Sequence, residues 1–203
     1  MHQAAWEGRH PTLPRVCTVT PSVAGVSTPA AAADAVLAGF RWEDGHADIW
    51  RVFTDPNSLR AVVEGLTAPW TSAGVTHVVG IEARGFLLGG ACAVQLRAGF
   101  IAVRKDGGLL PGPKVSTLAE PDYRGNRHRL RMQHRLGPGD RVLLIDDWAE
   151  RGSQARAAAD LIAQCGATLL GLSVIVDELS DDVRLTLPAV TALVHAAQLG
   201  DSS

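Results

Sequence analysis

A short apolar run that ends on two adjacent acids constrains this chain more than any other feature. Val142-Leu-Leu-Ile145 is followed at once by Asp146 and Asp147, then by Trp148-Ala-Glu-Arg151, Gly152-Ser-Gln154 and an Ala-rich stretch reaching Cys165-Gly166. Four branched apolar residues bounded by polar ones read as a strand buried on both faces. The Ala-rich stretch reads as a helix. A strand feeding a small-residue loop and then a helix start gathers backbone N–H groups that attract an anion. Adjacent carboxylates repel unless hydroxyls or a cation offset them. The pattern asks for a ligand that carries both a phosphate and a sugar diol. Two acids that merely polarise a strand end are the plainer reading, but it leaves the loop beside them unexplained.

The rest of the chain supplies a sheet for that strand. Asp55-Pro56 is a good helix opening, an N-cap acid followed by proline at the first helical position. Leu59, Val62, Val63 and Leu66 then share one face, and the helix stops before Pro69 or by Gly74. Val75–Ile81, Phe100–Val103, Arg127–Gln133, Leu169–Val176 and a short Leu193–His195 read as strands. Phe86–Leu96 reads as a helix whose Gly89, Gly90, Ala91 and Ala93 permit close packing on a sheet. Gly137-Pro-Gly-Asp140 is a turn. Between Lys105 and Gly125 the glycines and prolines mark a mobile excursion. Strands alternating with helices predict an α/β fold around a parallel sheet, with ligands beyond the carboxyl ends of the strands.

At 203 residues one domain is expected. Residues 1–29 are rich in Pro, Ala, Thr, Ser and Val without a period and read as a flexible extension. Residues 30–203 form the domain, with a short helix over Ala30–Phe40; the structure of 40–53 stays open. A net charge of −2 gives no case for nucleic acid or an anionic membrane. No apolar run approaches a membrane span. Three scattered cysteines, Cys17, Cys92 and Cys165, suit a reduced cytoplasmic protein.

The Asp146-Asp147 stretch resembles the phosphoribosyl-pyrophosphate (PRPP) signature of the type I phosphoribosyltransferase family. Val79-Gly-Ile-Glu-Ala-Arg-Gly-Phe86 and Gly99-Phe-Ile-Ala-Val-Arg-Lys105 are similar to the pyrophosphate loop and next strand of its adenine branch. Two motifs in the right order are more specific than either alone. The resemblance covers about Asp55 to Val176. It implies a parallel sheet flanked by helices, a small N-terminal hood over about 30–54 on a core of about 55–203, and a flexible loop. It also implies Mg²⁺, PRPP and a nucleobase as ligands, and a homodimer.

Residue by residue, the resemblance puts the ribose hydroxyls and Mg²⁺ on Asp146 and Asp147. It puts the 5′-phosphate on Arg151, Gly152, Ser153 and Gln154, where the family writes Thr-Gly-Gly-Thr. The pyrophosphate falls to Ala83, Arg84, Gly85, Arg104 and Lys105, with Glu82 fixing the loop. Trp148 stands where a leucine lies against the base, and its alternative is core packing. Glu150 replaces alanine; it is either an acid–base group toward the base or a helix-start acid. In the loop, Asp122-Tyr123 stand nearest to the family's Glu-Tyr pair, and Asp122 is preferred over Glu120 for the acid–base role. Phe40, Trp42 and Trp50 lie in the hood region without matching the family hood. His46 and Asp48 lack a third metal partner and read as structural. The seven basic residues from Arg124 to Arg135 are a solvated face or an attractor for polyphosphate. The expected activity joins adenine or a related purine to PRPP. The alternatives are a non-catalytic PRPP or nucleotide sensor and a transferase for an unusual heterocycle.

Overall fold

The computed structural model describes residues 29–120 and 127–200. In chain order these form α1 (Pro29–Gly39), β1 (Arg41–Glu43), β2 (His46–Asp48), α2 (Trp50–Thr54), α3 (Pro56–Thr67), β3 (His77–Ile81), α4 (Arg84–Leu96), β4 (Gly99–Lys105), β5 (Lys114–Leu118), β6 (Arg129–Gln133), β7 (Arg141–Ala149), α5 (Ser153–Gln164), β8 (Thr168–Asp177), α6 (Asp181–Arg184) and β9 (Ala189–His195). Of the extension read over residues 1–29 only Pro29, the first residue of α1, is described; residues 1–28 and the loop acid Asp122 lie outside the described residues.

Seven strands form one sheet in the order β5-β6-β4-β3-β7-β8-β9. The five from β4 to β9 run parallel. β6 is antiparallel to β4, and β5 to β6. The chain goes from β3 outward to β4, then returns to the other side of β3 with β7, β8 and β9. The strand order therefore reverses between β3 and β7, and the crevice above a reversal is where ligands settle on such sheets.

Each face of the sheet has its own core. Val79, Ile81, Val142, Leu144, Leu172 and Val174 pack against α5 through Ala155, Ala158, Leu161 and Ile162. Val78, Leu143, Ile145 and Ile175 pack on the opposite face against α3 and α4 and against Val36, Phe40, Ile49 and Val52 of the N-terminal elements. From Val142 to Ile145 alternate residues of β7 thus serve alternate cores, following the two-residue strand period.

Local chemistry explains several boundaries. Asp55 caps α3 by accepting from the Ser58 N–H at 2.7 Å, with Pro56 in the first turn. The 40–53 segment, whose structure the sequence left open, is a β1–β2 hairpin turning at Asp44-Gly45, both at positive φ, followed by α2. Asp-Gly is the favoured pair for such a turn. Two expectations need correction. The Lys105–Gly125 excursion is not loop throughout, because Lys114–Leu118 pairs with β6; the Gly/Pro cluster before it masks a short alternating strand. β7 does not stop at Ile145 but continues to Ala149, because β8 runs alongside and pairs Trp148 with Val176 and Ala149 with Asp177.

Candidate active site

A cavity of about 770 Å³ opens above the β3–β7 reversal. Its walls include Ala83, Arg84, Lys105, Asp146, Asp147, Trp148, Glu150, Arg151, Gly152, Ser153 and Gln154, so eleven of the expected site residues converge there.

Its floor depends on two glycines. A Cβ on Gly80 would sit 2.1 Å from the Gly85 carbonyl oxygen, and one on Gly85 would sit 3.0 Å from Asp146 Oδ1. Without those side chains the end of β3 and the first turn of α4 close onto the end of β7, which seats the Ala83-Arg84 turn beside the acids. Gly85 itself lies beneath Asp146 and is not in the wall. Its part is to leave space.

Asp146 and Asp147 stand side by side at the end of β7, and both reach the cavity that opens over the strand end. Asp146 Oδ1 accepts from the Asp147 N–H at 3.0 Å. Burial, then the neighbouring Asp147 charge, push the Asp146 carboxyl well above the ordinary carboxylate range. Asp147 is 7% exposed. Its Oδ2 lies 2.9 Å from Arg84 Nε, yet accepts no hydrogen bond, because the N–H is not aimed along the contact. The pair is held by charge, and a buried acceptor stays open to a better-placed donor or a cation. Among the described residues no three ligating side chains gather into a metal site. The two carboxylates are hard oxygen donors and would fit a Mg²⁺ ion.

The anion cradle is the start of α5. Gly152 precedes it at φ +65°, and a Cβ there would meet Val183 Cγ1 at 2.6 Å, so both conformation and space call for glycine. No side chain caps the helix, which leaves the first-turn N–H groups, from Ser153 on, for a ligand. The Gly152 carbonyl accepts from the Arg156 N–H at 2.8 Å, and Ser153 is buried. Arg151 lies at the mouth with its side chain 59% exposed and its Nε 3.9 Å from Glu150 Oε1.

Arg104, expected on the pyrophosphate, does not line this cavity. It grips Glu82 (Nη2–Oε1 2.9 Å) and donates from Nη1 to the Leu109 carbonyl at 3.0 Å. The Lys105 N–H donates to Glu82 Oε2 at 3.1 Å. The Arg104 guanidinium holds the Glu82 carboxyl below its ordinary range. Arg104 thus braces the pyrophosphate-type loop, and Lys105 alone of the pair faces the cavity.

Part of the remaining wall comes from residues not assigned to the site from sequence. Trp42, Gly45, His46, Ala47 and Trp50 of the N-terminal elements, His128 and Glu178 all line the cavity. Trp148 belongs to an aromatic cluster, 6.3 Å from both Phe40 and Trp42 by ring centroids. The Asp44-Gly45 turn signal would have found the hairpin that carries His46. The position of Glu178 directly after β8 would have marked it as a strand-end residue.

No family model matches the chain. The adenine phosphoribosyltransferase of Methylorubrum populi is 40% identical over 130 residues, 64% of this chain and 71% of that protein. That of Cereibacter sphaeroides is 38% identical over 149 residues, 73% and 83% of the two. Among solved structures, adenine phosphoribosyltransferase from Rhodothermus marinus has a TM-score of 0.72 at 31% identity, over 82% of this chain and 99% of that one. The Giardia lamblia enzyme complexed with 9-deazaadenine has a TM-score of 0.72 at 30% identity, over 81% and 97%.

Proposed function

Because the chain belongs to the adenine phosphoribosyltransferase family, we propose that its cavity binds PRPP and adenine and forms AMP with release of pyrophosphate. The activity is that of a pentosyltransferase joining a nucleobase to PRPP. The observation that carries the residue assignment is the meeting of the α5 cradle, the paired acids and the Arg84 turn in one cavity.

In the reaction a ring nitrogen of the base bonds to C1 of the ribose. The bond from C1 to pyrophosphate oxygen breaks, and its electron pair leaves with pyrophosphate. The α5 N–H groups and Ser153 hold the 5′-phosphate, with Arg151 at the mouth to add a charged contact. Asp146 and Asp147 hold the ribose hydroxyls and orient C1. Asp146 and Asp147 would also hold Mg²⁺, which would supply positive charge toward the departing pyrophosphate. Arg84, Lys105 and the Ala83 N–H take up the rest, while Arg104 keeps Glu82 and the loop in place. Trp148 lies against the base. Glu150 accepts the proton the base loses, with Asp122 as a second acid–base group. Residues 30–54 act as the hood. The enzyme works in the cytoplasm as a homodimer.

The test is direct. Protein, Mg²⁺, PRPP and a panel of bases are mixed, and AMP and pyrophosphate are measured. Pyrophosphate release with adenine above the other bases supports the reading. Release only with a 6-oxopurine or another heterocycle would move the specificity, as Trp148 and Glu150 allow. Binding of PRPP without turnover on any base would make the protein a sensor.

A further inference from the structure

We propose that Glu178 is a positioning residue: it pins the Trp148 indole so that the ring forms a fixed wall of the base site. The inference rests on the reading of this cavity as the place where adenine is joined to PRPP.

Glu178 follows β8 directly and is fastened to β7 twice. Its N–H donates to the Ala149 carbonyl at 2.8 Å. Its Oε2 accepts from Trp148 Nε1 at 2.7 Å. Two bonds to consecutive residues set the carboxylate in line with the indole edge. On its other side the indole meets Phe40 and Trp42, whose rings lie 5.3 Å apart at 89°. Trp42 is itself tied down, Nε1 donating to the Gly200 carbonyl at 3.1 Å. The aromatic neighbours limit tilt, and the carboxylate fixes rotation about the side-chain bonds.

An indole N–H is a donor with no acceptor role. Deprived of Glu178 it has reason to turn toward water, and Trp148 is only partly buried. A base that stacks on the ring then pays the cost of ordering it first. The burden falls on base binding. The cradle and the paired acids, which hold PRPP, keep their own supports. Glu178 is exposed, so the core tolerates its replacement.

The test compares Glu178→Leu, Glu178→Gln, Trp148→Phe and the Glu178→Leu/Trp148→Phe double variant. Glu178→Leu raises the KM for adenine about tenfold, the size of a lost hydrogen bond to a charged group. The KM for PRPP stays within about twofold. Glu178→Gln, whose amide oxygen still accepts from Nε1, recovers most of the loss. In the Trp148→Phe background, which lacks the N–H, Glu178→Leu costs nothing further. The indole N–H resonance of Trp148, assigned by its absence in Trp148→Phe, shifts in Glu178→Leu and stays in Glu178→Gln.

An unchanged adenine KM in Glu178→Leu overturns the proposal. So does an equal loss in both backgrounds, which would make Glu178 a direct ligand of the base. A wild-type protein that turns over no adenine refutes the functional reading instead. The indole resonance then still decides whether Glu178 holds Trp148, and an unmoved signal in Glu178→Leu rejects it.

Discussion

Asp146 and Asp147 are chain neighbours with unequal surroundings, and the inequality has measurable consequences. Asp147 is a buried anion beside Arg84 with one oxygen that accepts no hydrogen bond. Asn in its place keeps the shape and loses the charge. Asp147→Asn should cut turnover by about 10²-fold, the cost of losing orientation at the reacting carbon, while far-ultraviolet circular dichroism stays that of the wild type. An unchanged rate would remove Asp147 from the ribose site. Asp146 makes a different prediction. Its carboxyl is pushed well above the ordinary range, first by burial and then by Asp147. The folded protein keeps that proton at pH values where the unfolded chain has released it. Stability therefore falls as pH rises from the ordinary carboxyl range through the folded-state value. Asp146→Asn carries no charge at any pH. In ligand-free protein its Tm should match the wild type near about pH 4 and exceed it increasingly toward neutrality. A Tm difference that does not change with pH would contradict the burial account.

At the scale of the element, the site is two strand ends and two helix starts brought within reach by glycine. α5 is the clearest case. Gly152 combines a left-handed backbone with a wall of Val183 where a side chain would go. Gly152→Ala incurs both the conformational cost, roughly 1–2 kcal/mol, and a steric one that shifts α5 or α6. The KM for PRPP should rise at least about tenfold, with a lower Tm and a smaller change in adenine KM. A wild-type PRPP KM would mean that the cradle does not hold the phosphate. The same elements show where reading by period works and where it fails. The cap at Asp55, the α3 face and the parallel strands are local patterns and were legible. The length of β7 was not, because Asp146 and Asp147 both disfavour strand and the one strand-favouring residue after them, Trp148, does not offset the pair. Pairing with β8 carries the strand on. β5 was hidden for a similar reason: five residues with half-buried Val115 and Thr117 gain strand geometry only from β6.

At the scale of the molecule, the N-terminal elements are built into the core. Val36, Phe40, Ile49 and Val52 share one cluster with Val78 and Leu143 of the sheet, so the hairpin that brings His46 to the cavity stands on a fixed base. On the same face of the sheet, the outer side of α4 is less covered. Leu87 and Val94, one heptad apart on α4, are 40% and 81% exposed, and Phe100 of β4 is 38% exposed. An apolar surface of that kind suits a second copy of the chain, which supports the proposed homodimer. Sedimentation equilibrium should give twice the chain mass, and Val94→Asp should shift it toward the monomer. A wild-type monomer at micromolar concentration would refute the assembly. In all described residues no helix is long and apolar enough to cross a membrane.

Sequence alone settled what near neighbours along the chain decide: the buried β7 strand, the paired acids, the glycine-led start of α5 and the alternation that makes an α/β sheet. These follow from hydrophobic period, capping and the φ freedom of glycine, all of which act within a few residues. Tertiary structure alone decided which charges face the cavity. Arg104 and Lys105 are adjacent in sequence, yet one is spent on Glu82, 22 residues away, and the other faces the cavity. Trp148 became a fixed wall because Glu178, 30 residues on, lies within hydrogen-bond reach. A side chain's partner is chosen by distance in space, and that distance exists only after the sheet has formed.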